Sequence, residues 1–334
     1  MKKHAAVSVS LLVVVVAMSS FIPGRAQNAG TPGSQPPSNG APPANPLKVA
    51  LLKWYAANTT TSFKVGKAPD GIAFDRENMW VANYVDGTVT KIHASDGANL
   101  GTFKVGQHPF GVAFDGANIW VVNTLDNTVS KLRARDGKNL GTFAVGKTPW
   151  LLAFDGANIW VINAEGQNGS VTKLRASDGK ILGTFPSNGA RNIAFDGTYM
   201  WLPGGTAGAY AVTRMKLDGT NAGSFPLDGQ PLGIAFDGAD IWVAVSQTGG
   251  GALDKLRASD GKFLGSFNSY GSSWFVAFDG ANLWITGLTA VVEMRRSDGA
   301  VIGEFGNINV PYGIAFDGAN IWVTGDGDGT VWKM

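Results

Sequence analysis

A repeat of about forty residues runs through most of this 334-residue chain. Seven copies of the tripeptide Ala-Phe-Asp occur between residues 73 and 317, and a tryptophan follows each alanine by seven residues. These tryptophans are Trp80, Trp120, Trp160, Trp201, Trp242, Trp284 and Trp322. Self-similarity at such a period is typical of β-propellers and solenoids. The chain is therefore predicted to consist of seven similar units.

The second unit divides into four predicted strands. Residues 110–115, 119–123, 128–133 and 140–145 are rich in strand-forming residues, and Asp-Gly pairs mark two of the turns. The second run is apolar on both faces, as expected when a sheet lies between two others. Polarity then increases along the unit, which predicts that the first strand lines a central axis.

The phenylalanines predict how the ring closes. Each fourth strand carries one, and they are Phe103, Phe143, Phe185, Phe225, Phe267 and Phe305. A seventh, Phe63, precedes the first unit, whereas the last unit stops after its third strand. The sequence thus predicts an all-β, seven-bladed β-propeller of four-stranded antiparallel blades over residues 61–334, closed by the N-terminal strand. A β-solenoid is the alternative, but the separate fourth strand argues against it.

The segment before the repeats has three predicted parts. Residues 1–26 combine a basic start, an apolar core and small residues before a cleavage point, as in a signal peptide. An uncleaved membrane anchor is the alternative, although the apolar core is short for a bilayer span. Residues 27–46 are predicted to be a disordered Pro/Gly/Ser-rich linker, and residues 47–60 a short helix or lead-in. The protein is expected to be exported, to the periplasm or the extracellular space.

Charge and cysteine content narrow the partners. Removing the signal takes away Lys2, Lys3 and Arg25 and leaves 24 basic against 25 acidic residues. No basic footprint for nucleic acid remains, and no membrane insertion is expected after the signal is removed. The chain has no cysteine, so the core must hold the fold without disulfides. A monomer is expected.

The unit over residues 105–146 resembles the YVTN-type and NHL-like β-propeller repeat proteins. The elements Val-Gly-x-x-Pro-x-Gly and Trp-Val-x-Asn carry this resemblance, which covers residues 61–334. The chain is also distantly similar to the virginiamycin B lyase-like propellers, whose site uses a histidine and metal-holding acidic residues. The resemblance implies the fold, but it transfers no catalytic residue, because only His93 and His108 follow the signal.

The sequence offers no catalytic or metal-ligating set by spacing. The Asp-Gly pairs are typical of turns, in which glycine adopts positive φ and aspartate caps the backbone. Residues 326–329, Asp-Gly-Asp-Gly, look slightly like a calcium loop but lack its further ligands, so a hairpin turn is predicted. We therefore expect no cofactor, and the alternative of a calcium or magnesium ion in the channel is left open.

The units differ most at the residue that opens the first strand. We call these seven positions the channel-mouth ring, since propeller geometry places them around one end of the central channel. They are Asp70, Phe110, Trp150, Arg191, Leu232, Trp274 and Tyr312. One interpretation is a plug of packed side chains. The other is an aromatic funnel for a planar, sugar-like or cationic ligand.

Loop length varies at the same end of the ring. The spacing from the blade tryptophan to a third-strand Lys or Arg is 13 residues in blades 3, 4 and 5 and 11 in the others. The longer loops, AEGQNGS with Glu165, PGGTAGAYA and VSQTGGGA, are predicted to be raised and flexible and to wall one side of the rim. Neutral drift in duplicated units is the alternative.

Three functions are compatible with these observations. The first is an exported, non-catalytic binding module that holds a small ligand, a glycan or a protein segment on the channel-mouth face. The second is a metal-dependent lyase or hydrolase with its site at the central channel, which the scarcity of His and Glu disfavours. The third is a purely structural surface protein without a pocket.

Overall fold

The computed structural model describes residues 61–334, apart from 167–168, 248–249 and 270–272. These residues form a seven-bladed β-propeller in which each blade is a four-stranded antiparallel sheet. Within this part of the chain, no helix is long and apolar enough to cross a membrane. The predicted signal (1–26), linker (27–46) and lead-in (47–60) lie outside the described residues.

The strands of blades 1 to 3 follow chain order from the axis outward. They are β2 (Pro69–Phe74), β3 (Asn78–Asn83), β4 (Thr88–His93), β5 (Asn99–Lys104), β6 (Pro109–Phe114), β7 (Asn118–Asn123), β8 (Thr128–Arg133), β9 (Asn139–Ala144), β10 (Pro149–Phe154), β11 (Asn158–Asn163), β12 (Ser170–Arg175) and β13 (Ile181–Pro186).

Blades 4 to 6 are built in the same way. Their strands are β14 (Ala194–Phe195), β15 (Met200–Thr206), β16 (Ala209–Met215), β17 (Asn221–Pro226), β18 (Gln230–Phe236), β19 (Asp240–Gln247), β20 (Gly250–Arg257), β21 (Phe263–Asn268), β22 (Ser273–Phe278), β23 (Asn282–Gly287), β24 (Val291–Arg295) and β25 (Val301–Phe305).

Blade 7 combines both ends of the repeat region. Its strands are β26 (Pro311–Phe316), β27 (Ile321–Gly325), β28 (Thr330–Lys333) and, as the outer strand, β1 (Thr61–Lys64). β1 pairs antiparallel with β28, with Phe63 opposite Val331. The Phe63 ring stacks on Trp322 at a centroid distance of 5.7 Å. The outer strand of this blade therefore comes from the amino-terminal side of the repeats.

Burial decreases from the axis outward, as the polarity of the repeat predicts. β2 and β3 are buried along almost their whole length, whereas β5 alternates between exposed and half-buried residues. β2 packs against the first strands of both neighbouring blades, β6 and β26. The first strand of each blade therefore lies at the axis, and the core is the space between adjacent sheets.

The repeated tryptophan forms the core of each blade. Trp120 pairs across two strands with Ala113, whose methyl side chain leaves room for the indole. Its Nε1 donates to Oδ2 of Asp115 at 2.8 Å, and its ring packs on Phe143 at 5.6 Å. The same Ala, Asp and Phe partners surround the tryptophan in all seven blades, which explains why these residues recur together.

A cation opposite the tryptophan ties most blades to the next. The Lys131 Nζ lies 5.1 Å from the Trp120 ring centroid and donates to the carbonyl oxygen of Ala176 in blade 3 at 2.6 Å. Blade 6 departs from this pattern, because Glu293 stands opposite Trp284. Arg295, the third-strand arginine that lies 11 residues after Trp284, pairs instead with Asn282, because the β23–β24 connection is two residues shorter than in blade 2. The acceptor of Lys131 lies in the turn that follows the third strand of the next blade. Blade 7 has no such turn, because its fourth strand is β1, so a cation at residue 293 would lack this acceptor.

The longer connections of blades 4 and 5 are extended hairpins. β15 continues to Thr206 and β19 to Gln247, paired with Ala209 and Gly250 respectively. The added residues therefore lengthen the ladder in these two blades, where the sequence predicted raised loops. Glycine-rich segments lack apolar alternation, so their sequence gave no strand signal.

Candidate functional site

The channel-mouth ring converges on the axis. Phe110 of blade 2 lies 5.5 Å from Trp150 of blade 3 and 6.4 Å from Tyr312 of blade 7, between ring centroids. Trp274 of blade 6 meets Tyr312 edge-on at 5.3 Å. Aromatic side chains from four blades thus form one connected cluster at this end of the channel.

The ring residues lie at different depths. Tyr312 and Phe110 are buried, with 1% and 3% of their surface exposed, and Asp70 is 4% exposed. Three other members, Trp150, Leu232 and Trp274, are half-buried, whereas Arg191 is exposed. The blade 7, 1 and 2 side is packed like a plug, and the blade 3 to 6 side presents aromatic and cationic groups to solvent.

Arg191 and Trp150 form the open edge of the ring. The Arg191 guanidinium carbon lies 5.6 Å from the Trp150 ring centroid, within the range of a cation–π contact. Arg191 also lines a pocket of about 250 Å³ on the same side. Tyr210 and Gln230 contribute to this pocket, and its remaining walls are glycine-rich or small: Gly166, Gly189, Gly204, Gly205, Thr206, Ala207 and Pro231.

Blade 4 supplies most of the pocket lining, and its first strand is short. β14 has two residues, and before it the backbone N–H of Arg191 donates to the Pro203 carbonyl oxygen of β15 at 3.3 Å. The next residue, Asn192, replaces the glycine found in blades 1, 2, 5 and 7. Its Nδ2 donates to the Leu232 carbonyl oxygen at 3.1 Å, and its Oδ1 accepts from the backbone N–H of Ile193. The first of these bonds ties the residue after Arg191 to blade 5.

Glu165 lies on the rim of blade 3, beside this pocket. It is exposed and accepts a hydrogen bond from Lys147 Nζ at 2.8 Å. The neighbouring residue, Gly166, is part of the pocket wall. Glu165 is therefore close to the pocket, but its carboxylate is engaged in an exposed ion pair.

Sequence analysis missed two residues that face the ring. Tyr84 and Asp326 are equivalent positions that follow the second strands of blades 1 and 7. Tyr84 contacts Phe110 at 5.9 Å, and Asp326 lies within electrostatic reach of Asp70. The predicted hairpin at residues 326–329 is present as a turn, in which Asp328 accepts a hydrogen bond from the Thr330 hydroxyl. The sequence did contain an indication of this difference, because blade 7 has the carboxylate of Asp326 where blade 1 has Tyr84.

We call Asp70, Asp326 and Tyr312 the acidic corner. Burial, and next the charge of Asp326, hold the pKa of Asp70 well above its ordinary value. Burial also raises the pKa of Asp326. The pKa of Tyr312 is raised strongly, first by burial and then by the charges of Asp70 and Asp326. The acidic corner is thus a poorly solvated region of negative potential.

The two histidines have different surroundings. Nδ1 of His93 lies 3.0 Å from Oδ1 of Asp96, in a partly exposed pair. His108 lies near the ring, where it packs on Tyr84 at a centroid distance of 4.2 Å. Its Nδ1 is buried and has no hydrogen-bond partner among the described residues. Across that same part of the chain, no group of three His, Cys, Asp or Glu residues is arranged to hold a metal ion.

Comparisons with known proteins agree with the architecture. No protein-family model matches the chain, and no curated protein matches it. Among solved structures, Kuenenia stuttgartiensis hydrazine synthase is similar with a TM-score of 0.74 and 16% identity, covering 80% of this chain and 95% of that one. A streptogramin B lyase structure has a TM-score of 0.68 and 17% identity, covering 82% and 96% respectively. The second similarity fits the predicted resemblance to the virginiamycin B lyase-like propellers; at these identities both similarities concern the fold.

Proposed function

We propose that this chain is an exported, non-catalytic binding module that holds a ligand on the open side of the channel-mouth ring. The observation that carries the proposal is the continuity between exposed Arg191, the half-buried Trp150 and the 250 Å³ pocket. Pockets on a rigid propeller scaffold are common binding sites, and clustered polar and aromatic groups orient a ligand in them. The module would act in the periplasm or outside the cell, as a monomer and without a resident cofactor.

The pocket suits one ring-sized group that carries a hydrogen-bond acceptor. Arg191 offers a planar fork of donors, which pairs best with a carboxylate or a similar oxygen pair. Tyr210 and Gln230 add a ring face and an amide, and the small residues of the wall allow close approach to the backbone. A small acidic ligand, the terminal sugar of a glycan or a side chain of a protein segment meets these requirements.

A binding screen with the full chain tests this function. The purified protein is presented with arrays of small carboxylates, glycans and peptides, and each hit is measured with Arg191→Ala, Trp150→Ala and Trp274→Ala. We expect Arg191→Ala to weaken a hit by about tenfold or more, because a charge-assisted bond is lost. Arg135→Ala is the matched control, since Arg135 is an exposed arginine in a turn between third and fourth strands. A hit that all three variants bind as well as the unaltered protein would contradict the proposal and favour a purely structural role.

A metal-dependent lyase or hydrolase is the second candidate. The observation in its favour is the proximity of two carboxylates, Asp70 and Asp326, at the central channel. Elemental analysis of the purified protein, with and without chelator treatment, tests it. Stoichiometric calcium or magnesium that is lost in Asp326→Asn would favour the enzyme over the binding module.

A further inference from the structure

Within the part of the chain that the structure describes, the two carboxylates of the acidic corner have no cationic partner. Among the described residues, no lysine, arginine or histidine forms an ion pair with Asp70 or Asp326, and no hydrogen bond reaches either carboxylate. Asp70 is nevertheless 4% exposed. Buried charges in proteins are almost always paired or bound to a cation, because leaving them unpaired costs several kcal/mol. Without a partner, burial favours the protonated form of both carboxyls, and a bound cation would instead stabilise their charged form.

The Tyr312 hydroxyl supplies an independent indication. The residue is 1% exposed, and its oxygen has no hydrogen-bond partner among the described residues. The Thr324 hydroxyl accepts a hydrogen bond from the Gly313 backbone N–H at 2.7 Å and donates one to the Asp70 carbonyl oxygen at 2.9 Å. Asp70 therefore lies beside the segments that carry Tyr312 and Asp326, and both carboxylates raise the pKa of the Tyr312 hydroxyl. An unpaired buried hydroxyl is costly to leave in the folded state. A bound polar group that joins all three side chains would remove this cost.

The surroundings favour an organic cation over a metal ion. The rings of Phe110, Phe275 and Trp274 approach Tyr312 within 6.4 Å, and Tyr84 lies against Phe110. Aromatic faces attract a desolvated cation but supply no ligands to calcium, which takes six to eight oxygens. Two carboxylates and one phenol fall short of that number.

From these contacts we infer that the acidic corner binds the primary ammonium group of an organic ligand. An ammonium group has three N–H donors, and the corner offers three acceptors: the Asp70 carboxylate, the Asp326 carboxylate and the Tyr312 hydroxyl oxygen. A quaternary ammonium has no donors and would leave all three unpaired. The inference goes beyond the proposed function, because Asp70 and Tyr312 lie on the packed side of the ring and the proposed function places its ligand on the open side.

The ligand would approach from the turn that follows β27. Asp326 is half-buried and its neighbours Gly327 and Asp328 are exposed, whereas Asp70 and Tyr312 lie deeper. An unbranched alkyl chain can then extend past this turn toward solvent, while its ammonium group lies at the corner.

Calorimetry and thermal unfolding of the full chain at pH 8 test this inference, with n-butylammonium, tetramethylammonium and calcium chloride as separate probes. We expect n-butylammonium to bind and to raise the melting temperature. The affinity should fall by about tenfold or more in Asp70→Asn and Asp326→Asn, because each loses a charge-assisted bond, and by a smaller factor in Tyr312→Phe. Asp178→Asn, which changes an exposed aspartate of a distant turn, should bind as the unaltered protein does.

Three results would overturn the inference: binding of calcium without n-butylammonium, equal binding of tetramethylammonium, or no response to n-butylammonium in the folded protein. Circular dichroism on each variant shows whether it has folded, and Asp326→Asn, which changes a half-buried residue, serves if Asp70→Asn fails to fold. Arg191→Ala separates this inference from the proposed function. That variant should still bind n-butylammonium at the acidic corner but lose the ligand of the blade 4 pocket. Failure of one of these two bindings is therefore distinguishable from failure of the other.

Discussion

The indole Nε1 of Trp160 donates a 2.7 Å hydrogen bond to Oδ2 of Asp155, five residues earlier in the chain. The other carboxylate oxygen, Oδ1, accepts from the backbone N–H groups of Ala157 and Asn158. One side chain thus closes the turn between the first and second strands and also satisfies the only polar atom of a fully buried tryptophan. Because each blade has the same arrangement, this pair sets the spacing of the repeat.

The first prediction concerns this pair. In Asp155→Asn, an amide N–H would face the Trp160 Nε1–H, so the indole loses its acceptor while the turn keeps one oxygen. We expect the free energy of unfolding to fall by about 1–3 kcal/mol, measured by urea denaturation. Asp178→Asn, which breaks an exposed pair with Arg175, should lower it much less, because solvent screens that pair. Equal losses in the two variants would show that the buried bond has no special weight.

The second prediction concerns the contact between adjacent blades at Gly137. A Cβ at this residue would lie 2.1 Å from Cε1 of Phe103, and its φ is +70°. Gly116 has a similarly positive φ of +97°, but no heavy atom of the described residues lies within 4 Å of its Cβ position. Gly116→Ala should cost about 1 kcal/mol from backbone strain. Gly137→Ala should cost a further 1–3 kcal/mol, roughly, because the ring must move. Thermal unfolding of the two variants measures this difference in stability. Equal losses in Gly137→Ala and Gly116→Ala would contradict the packing of Phe103 against Gly137.

The third prediction concerns the lysine between blades 2 and 3. Lys131 is 6% exposed, and its Nζ donates to the carbonyl oxygens of Ala176 and Ser177 at 2.6 and 3.1 Å. Lys131→Met keeps the apolar stem but removes these bonds, and should lower the free energy of unfolding by about 1.5–3 kcal/mol. Lys104→Met, on the exposed outer strand of blade 1, should change it by less than about 0.5 kcal/mol. Equal changes in the free energy of unfolding in Lys131→Met and Lys104→Met would argue that the hydrogen bonds of Lys131 do not tie blades 2 and 3 together.

The fourth prediction follows from the raised pKa of Asp70. A carboxyl whose pKa is higher in the folded than in the unfolded state favours folding when it is protonated. Its contribution is complete below the ordinary value of 3.8 and is lost as the pH rises through the folded-state pKa. Asp70→Asn removes this titration. The variant should therefore exceed the unaltered protein in free energy of unfolding at pH 8, by about 1–3 kcal/mol, in the absence of ligand.

The difference between the two proteins isolates this effect. Hydrogen bonds lower the pKa of several exposed aspartates, among them Asp96 and Asp260, and these groups destabilise both proteins as the pH falls. Their contributions cancel when the variant is compared with the unaltered protein at each pH. The advantage of Asp70→Asn should shrink as the pH is lowered toward 3.8, and an advantage that stays constant with pH would contradict a titrating Asp70.

Much of the fold could be predicted because each copy of the repeat reports the same interactions. Trp120 recurs with Ala113, Asp115 and Phe143 because all three contact its indole, so the pattern can be recognised in the sequence. Blade 6 shows where such counting fails. Arg295 has the expected charge at the expected distance, but the shortened hairpin moves Glu293 into register with Trp284. Local charge spacing cannot distinguish a shifted strand from an aligned one.

The candidate site was only partly predictable for a different reason. The seven positions of the channel-mouth ring follow from the repeat, but their burial depends on which side chains meet across the axis. Tyr312 is covered by Phe110 of blade 2 and by Trp274 and Phe275 of blade 6, which are far from it in the chain. Asp326 was correctly assigned to a turn, but nothing near it in the sequence reveals its electrostatic coupling to Asp70.

The sequence by itself determined the number of blades, the order of their strands and the identity of the core residues. These features are repeated, and a repeated contact leaves the same residues at the same spacing in each copy. Only the tertiary structure decided which side of the ring is open, where Arg191 meets its pocket and which carboxylates share the acidic corner. Those features arise where the copies differ, and their effect depends on distances across the channel between residues that the chain order keeps far apart.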